Sequence, residues 1–197
     1  LNRIGDALNT QGDGAGALAV YRTSLGIAQA LAGHDPANTA WSRDVAVSHN
    51  RIADLLASRG LTHMLVDLGE QRALGSRRDS TPWQIARAGA ASIELRQGAL
   101  ATSEGAGCIL GAGGTAHHLF DPRTGRSANC WKTVTVHHRR SAAVADALST
   151  TLYVANAAEV EALVPRFPGT VVWTRDHDAV DRRWVTTPAD GIAPRNA

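Results

Sequence analysis

Alanine and leucine recur at helical spacing through roughly the first sixty residues, and the pattern changes after Gly60. The stretch "GALAVYRTSLGIAQALAGHDPANTAWSRDVAVSH" places its apolar positions three and four apart, which predicts helices. Breaks are signalled at Gly12-Asp13-Gly14 and at Asp35-Pro36. Beyond Gly60, "HMLVDLG" (63–69) and "WKTVTVHH" (131–138) are β-branched and alternating, which predicts strands. "SAAVADALSTTLYV" (141–154) predicts a helix with Ser141 as its N-cap. A second helix is expected over "AAEVEALVPRF" (157–167), stopped by Pro168-Gly169, with "TVVWT" (170–174) as a closing strand. The whole reads as an α+β chain: a mixed sheet with packed helices from about residue 50 onward, preceded by a helical segment.

The helical segment contains a repeat. Residues 2–12, "NRIGDALNTQG", and residues 50–60, "NRIADLLASRG", share Asn, Arg, Ile, Asp, Leu and the final Gly in register, 48 residues apart. Ile4, Gly5, Leu8, Ala17 and Tyr21 sit where a tetratricopeptide helix pair places its knobs and small packing residues. Residues 1–49 resemble a tetratricopeptide repeat of a long-period type. Such repeats bury their apolar faces by stacking, and about three are needed for stability. One repeat and the start of a second read as the edge of an array, and the resemblance implies a protein partner for these helices.

Composition narrows the function. At 197 residues the chain holds one large or two small domains, and either buries a real core. With 44% hydrophobic and 19% charged residues it is ordinary for a globular protein. A formal charge of +2, with no like-charge run longer than a pair, argues against nucleic acid. No apolar run approaches membrane-spanning length. The chain begins with Leu1 rather than methionine, which reads as a fragment or a processed form. Cys108 and Cys130 lack metal-type spacing and are expected as small core residues rather than a disulfide.

Two places carry candidate chemistry. "HHLFDPRTGRS" (117–127) sets a histidine three residues before an aspartate, then turns at Pro122; as a plain turn, Pro122 takes the second position and Asp121 bonds back to the backbone. Asp146 and Thr150 are four apart in the predicted helix and share a face. A carboxylate and a hydroxyl are hard oxygen ligands of the kind magnesium takes; the alternative is an ordinary packing helix with Asp146 in solvent. His137-His138 are expected at the surface, and Asp176-His177-Asp178 in a solvated loop. Trp83, Trp131, Trp173 and Trp184 are expected to pack in the core or at its edge, and residues 188–197 to be a disordered tail.

The ordered string "RIADLLASRGLTHMLVDLGEQRALG", "PW", "GALATSEGAG", "HHLFDPRTGRSA", "TVTV" and "ADALSTTLYV" resembles the C-terminal half of ApbE-type FAD:protein FMN transferases, over residues 50–187. Its short "DLGEQRALG" form is similar to the subgroup associated with nitrous oxide reductase maturation. The resemblance implies Mg-dependent transfer of FMN from FAD to a threonine of an acceptor flavoprotein, with release of AMP. It implies Asp146 and Thr150 as magnesium ligands. Thr102, Ser103, His118, Asp121, Thr124 and Gly125 would be flavin-site residues, with His118 also the candidate general base. A periplasmic or membrane-associated location follows if the full-length protein obeys the family. The chain departs from the family where Asn50-Arg51 replaces the usual Asp-Arg, and where the family's N-terminal half has no counterpart. The rival reading, from a different class, is a catalytically inactive interaction module using the tetratricopeptide-like helices.

Overall fold

The computed structural model describes residues 1–34, 39–67, 69–110 and 116–186. The expected break at Asp35-Pro36 and the tail 188–197 lie outside these residues. The chain forms two compact units, Leu1–Leu68 and Gly69–Ala197.

The first unit contains helices α1 (Asn2–Thr10), α2 (Gly14–His34) and α3 (Thr39–Ser58), then a short strand, β1 (Met64–Asp67). Both copies of the repeat are helical and end in the same way. After α1, Gly12 takes φ +85°, its N–H donates to the Asn9 carbonyl at 3.0 Å, and the Asp13 N–H donates to the Leu8 carbonyl at 2.9 Å. After α3, Gly60 takes φ +85°, its N–H donates to Ala57 at 3.0 Å, and the Leu61 N–H donates to Leu56 at 3.2 Å. Each is a Schellman cap, and only glycine accepts that left-handed position without strain. The recurring Gly of the sequence is therefore a recurring helix stop.

Tyr21, Ala17 and Leu55 form the buried centre of this unit. Gly5 is small because the Tyr21 ring lies over it: a Cβ there would fall 2.3 Å from Tyr21 Cε1. The Tyr21 hydroxyl donates to Asp6 Oδ1 at 2.7 Å, and Arg51 pairs with the same carboxylate. The Tyr21 hydroxyl, followed by Arg51, holds the Asp6 carboxyl below its ordinary range. One copy of the repeat thus contributes the acid and the other the base. Ile4, expected as a packing knob, is exposed. It stands one residue before Gly5, on a side of the helix that α2 does not cover.

The second unit is built from β2 (Gln71–Leu74), β3 (Trp83–Arg87), β4 (Ala90–Leu95), β5 (Gly98–Glu104), β6 (Ile109–Leu110), β7 (Ala116–His117), β8 (Phe120–Asp121), β9 (Arg126–Ser127), β10 (Thr133–His138), α4 (Ala142–Val154), α5 (Ala157–Leu163), β11 (Thr170–Arg175) and β12 (Asp181–Val185). Its main sheet runs β2-β5-β10-β11-β12, and each neighbouring pair is antiparallel. The others form the hairpins β3-β4, β6-β7 and β8-β9. The α+β reading holds.

Register decides which side chains meet. Val136 lies between Ala101 and Val172, and Val134 between Ser103 and Thr174. These face α4, whose Ala145, Leu148, Leu152 and Tyr153 complete the core with Trp131. The remaining positions, Thr102, Thr135, Trp173 and Arg183, line up on the other face. β11 does not close the domain, because β12 follows it and pairs along its edge. The expectation failed there because Arg182 and Arg183 interrupt the apolar alternation, as edge strands often do. Both cysteines are free and exposed, not buried in the core; each flanks a short loop strand where little covers it. Trp131 is fully buried, whereas Trp184 packs on the core from its edge.

Candidate functional site

Helix α4 organises the site. Ser141 caps it, its Oγ accepting from the Val144 N–H at 3.2 Å, as the sequence suggested. Asp146, Thr150 and Val154 fall on one stripe, each about 6 Å of rise beyond the last. Ala145, Leu148, Ser149, Leu152 and Tyr153 are buried against the sheet.

At the level of Thr150 the helix meets β5. Ser103 Oγ is 2.8 Å from Ser149 Oγ and 3.2 Å from Thr150 Oγ1. Ser149 Oγ donates to the Asp146 carbonyl at 2.9 Å. The structure thus brings Ser103 to Thr150, with the Asp146 side chain one turn back on the same helix stripe. Thr102 belongs to the opposite face of β5 and pairs with Thr135 Oγ1 at 3.0 Å. Two consecutive strand residues cannot line one pocket with both side chains.

Asp146 is exposed, yet burial of its carboxyl against the helix surface pushes its pKa above the ordinary value. Among the described residues no cation offsets that effect. Among the described residues no group of three or more His, Cys, Asp or Glu could enclose a metal. The donor set is instead one carboxylate with neutral hydroxyls. It fits a hard cation that keeps waters and takes substrate phosphate oxygens as its other ligands.

One turn further along α4, Tyr153 Oη accepts from the Gly105 N–H at 3.1 Å, and the His117 ring meets Tyr153 edge-on at 5.8 Å between centroids. The Leu119 N–H approaches His117 Nδ1 at 3.3 Å, so Nε2 carries the proton and donates to the Ala128 carbonyl at 2.8 Å. Both ring nitrogens of His117 are thereby occupied, and this buried histidine is structural. His118 is the accessible one. Its Nδ1 lies 3.4 Å from the Cys108 carbonyl, and Nε2 has no partner among the described residues.

The Asp121–Gly125 turn is anchored rather than free. Gly125, at φ +66°, donates its N–H to the Asp121 carbonyl at 2.8 Å, and the Thr124 N–H donates to it at 3.1 Å. The Arg123 guanidinium grips the Asp121 carboxylate through Nε at 2.9 Å and Nη2 at 3.0 Å. It also donates to Glu159 at 2.6 Å and to the Val154 carbonyl at 3.1 Å. Arg123 therefore fastens the turn to the end of α4 and to the capping box that starts α5.

The Arg123 guanidinium holds the Asp121 carboxyl below its ordinary value. The Asn156 N–H, followed by Arg123, does the same for Glu159. Their contribution is full above the unfolded carboxylate values and is lost as pH falls through the depressed ones. The Arg123 Nε–H resonance should keep a bonded shift down to about pH 5 and lose it in stronger acid, and Arg123→Ala should loosen the turn at neutral pH.

The comparisons with known proteins bear on this geometry. The model of the ApbE family matches residues 46–173. This chain belongs to the ApbE family. Among solved structures it is similar to the ApbE protein of Thermotoga maritima, with TM-score 0.62 and 24% identity over 73% of this chain and 50% of that one. It is also similar to the flavin transferase ApbE of Vibrio cholerae, with TM-score 0.54 and 27% identity over 71% and 47%. The Pseudomonas stutzeri flavinyl transferase ApbE gives TM-score 0.56 and 27% identity over 70% and 44%. This ApbE chain thus spans about half the length of the structures it matches. No curated protein matches it.

Ser149 and Arg123 were missed by sequence reasoning. For Ser149 a signal was present: the run Ser149-Thr150-Thr151 places three poor helix formers inside one helix. For Arg123 there was none, because Glu159 is 36 residues away.

Proposed function

We propose that this chain contributes to Mg-dependent transfer of FMN from FAD to a threonine of an acceptor flavoprotein. The observation that carries the reading is the meeting of Ser103 with Thr150, one turn from Asp146, in a chain of the ApbE family. Asp146 and Thr150 would hold magnesium, whose charge offsets that developing on the pyrophosphate as it is cleaved. Ser103, buried near the end of β5, supports Thr150. His118, exposed beside the Cys108 carbonyl, would accept the proton of the attacking threonine. Asp121, Thr124 and Gly125 shape a turn held by Arg123, which would present a fixed wall to the flavin. Thr102 would serve indirectly, keeping β5 paired to β10.

The finer assignments extend the same reading. The "DLGEQRALG" segment points to the subgroup associated with nitrous oxide reductase maturation, and a periplasmic or membrane-associated setting follows if the full-length protein obeys the family. Among the described residues no helix is long and apolar enough to cross a membrane. We assign residues 1–49 to a tetratricopeptide-like segment and residues 50–187 to the transferase, although α3 runs unbroken across that boundary. The exposed apolar side chains Ile27 and Leu31 on α2 support a partner-binding use of the first unit, with or without catalysis.

The test is fluorescence titration of FAD into the chain with and without magnesium, followed by mass analysis after adding an acceptor peptide. Magnesium-dependent quenching is the expected result, with weak or no covalent transfer, because this chain covers only about half of each matched structure. Catalysis of phosphoryl-type transfer is mostly positioning and electrostatics, so half of a site binds better than it reacts. Failure to bind FAD under any magnesium concentration would leave only the interaction role.

A further inference from the structure

We propose that Ser103 and Ser149 are positioning residues: they form a one-way chain of hydroxyls that turns the lone pairs of Thr150 outward as a ligand. The direction follows from proton counting. A hydroxyl has one proton to give and two lone pairs. The Asp146 carbonyl cannot donate, so Ser149 spends its proton there, at 2.9 Å. The 2.8 Å contact between Ser149 and Ser103 then requires Ser103 to donate. With that proton spent, the 3.2 Å contact between Ser103 and Thr150 requires Thr150 to donate. Thr150 is left with only acceptor capacity, on the exposed stripe it shares with Asp146.

The neighbouring residue shows what would happen otherwise. Thr151 Oγ1 donates to the carbonyl four residues back, Ala147, at 2.8 Å, which is the ordinary habit of a helical threonine. For Thr150 the equivalent acceptor is the Asp146 carbonyl. That oxygen already takes the helical N–H of Thr150 and the hydroxyl of Ser149, so both lone pairs are engaged. Ser149 therefore closes the default position, and Ser103 offers the replacement acceptor from across the α4–β5 interface. Ser149 is completely buried and Ser103 nearly so, so water does not compete for the bond between them. Removing the Ser149 hydroxyl would reopen the Asp146 carbonyl and let Thr150 rotate back onto its own helix.

The consequence for metal affinity rests on the magnesium reading above, whereas the hydroxyl order does not. Two measurements on the full chain separate them. Three-bond Hα–Hβ couplings report the Thr150 side-chain rotamer without any metal. In Ser149→Ala the coupling should move to that of Thr151, and in Thr151→Val the Thr150 coupling should stay unchanged. Magnesium alone is then titrated by calorimetry into wild type, Asp146→Ala, Ser149→Ala and Ser103→Ala. Loss of a partner that orients a ligand typically weakens metal affinity about 10- to 100-fold, and the lower end is expected for both serine variants, with melting behaviour near wild type. An unmoved Thr150 rotamer in folded Ser149→Ala overturns the inference, whatever the metal does. A moved rotamer with unaltered magnesium affinity, in a chain where Asp146→Ala abolishes binding, overturns the positioning role. If wild type binds no magnesium, the metal reading fails, and with it the positioning role; the coupling still decides the hydroxyl order.

Discussion

Asp146→Ala should abolish magnesium-dependent FAD binding while leaving the circular dichroism spectrum and melting curve close to wild type. On the proposed magnesium reading, the carboxylate is the one charged ligand that the α4 stripe would offer. Among the described residues no cluster of three or more His, Cys, Asp or Glu could hold the metal in its place. The residue is exposed, and its carboxyl is partly buried with no offsetting cation among the described residues. Removing it therefore deletes a charge that the fold does not need and that the proposed metal would. The neutral hydroxyl of Thr150 would remain, and alone it holds a hard divalent cation poorly. Thr150→Val should weaken binding less, since it removes a neutral ligand. A magnesium titration that is unchanged in Asp146→Ala would reject the metal assignment outright.

The largest effect on stability is expected from Trp131→Ala. Trp131 is 2% exposed, and it meets Trp184 edge-on at 6.1 Å. Its Nε1–H donates to the Ala155 carbonyl at 2.7 Å, just past the end of α4. Arg182 lies 5.9 Å over the ring from β12. The side chain thus ties α4, the core and the edge strand to one another. Truncating a buried aromatic of this size costs about 3–5 kcal/mol, and the stranded Ala155 carbonyl adds to that. Urea denaturation should show the midpoint falling accordingly, with Trp131→Phe recovering most of the packing but not the hydrogen bond. A loss below about 1 kcal/mol would mean that the cluster repacks around the gap.

The legibility of this chain followed its local physics. The cap, length and buried face of α4 were readable because Ser141 and the Ala/Leu spacing act within one helix. β10 and β11 were readable because Val134, Val136, Val172 and Thr174 alternate in one register. β12 was not, since Arg182 and Arg183 look like loop residues until each is seen reaching over a tryptophan. The strands between residues 71 and 104 carry mixed alanine, arginine and glycine, so their pairing was set by tertiary contact rather than by pattern. Cys108 and Cys130 went astray because cysteine is usually buried, whereas here both lie on loop segments. The candidate site was legible in part. Asp146 and Thr150 share a helix face by spacing alone, but their link to Ser103 depends on the α4–β5 contact. Thr102 was read into the same pocket as Ser103, because the strand that turns them to opposite faces was not recognised.

The spacing of Asp146, Thr150 and Val154 along α4 also says how this protein can change over evolutionary time. Each residue advances a helix by about 100°, at 3.6 residues per turn. A single-residue insertion or deletion between Asp146 and Thr150 would swing the acid about a quarter turn away from the hydroxyls. One between Thr150 and Val154 would do the same to the carbonyl that anchors Arg123. Point substitutions on the outer surface of α4 leave this phase untouched. Length variation should therefore collect in the loops between strands and be purged from residues 146–154.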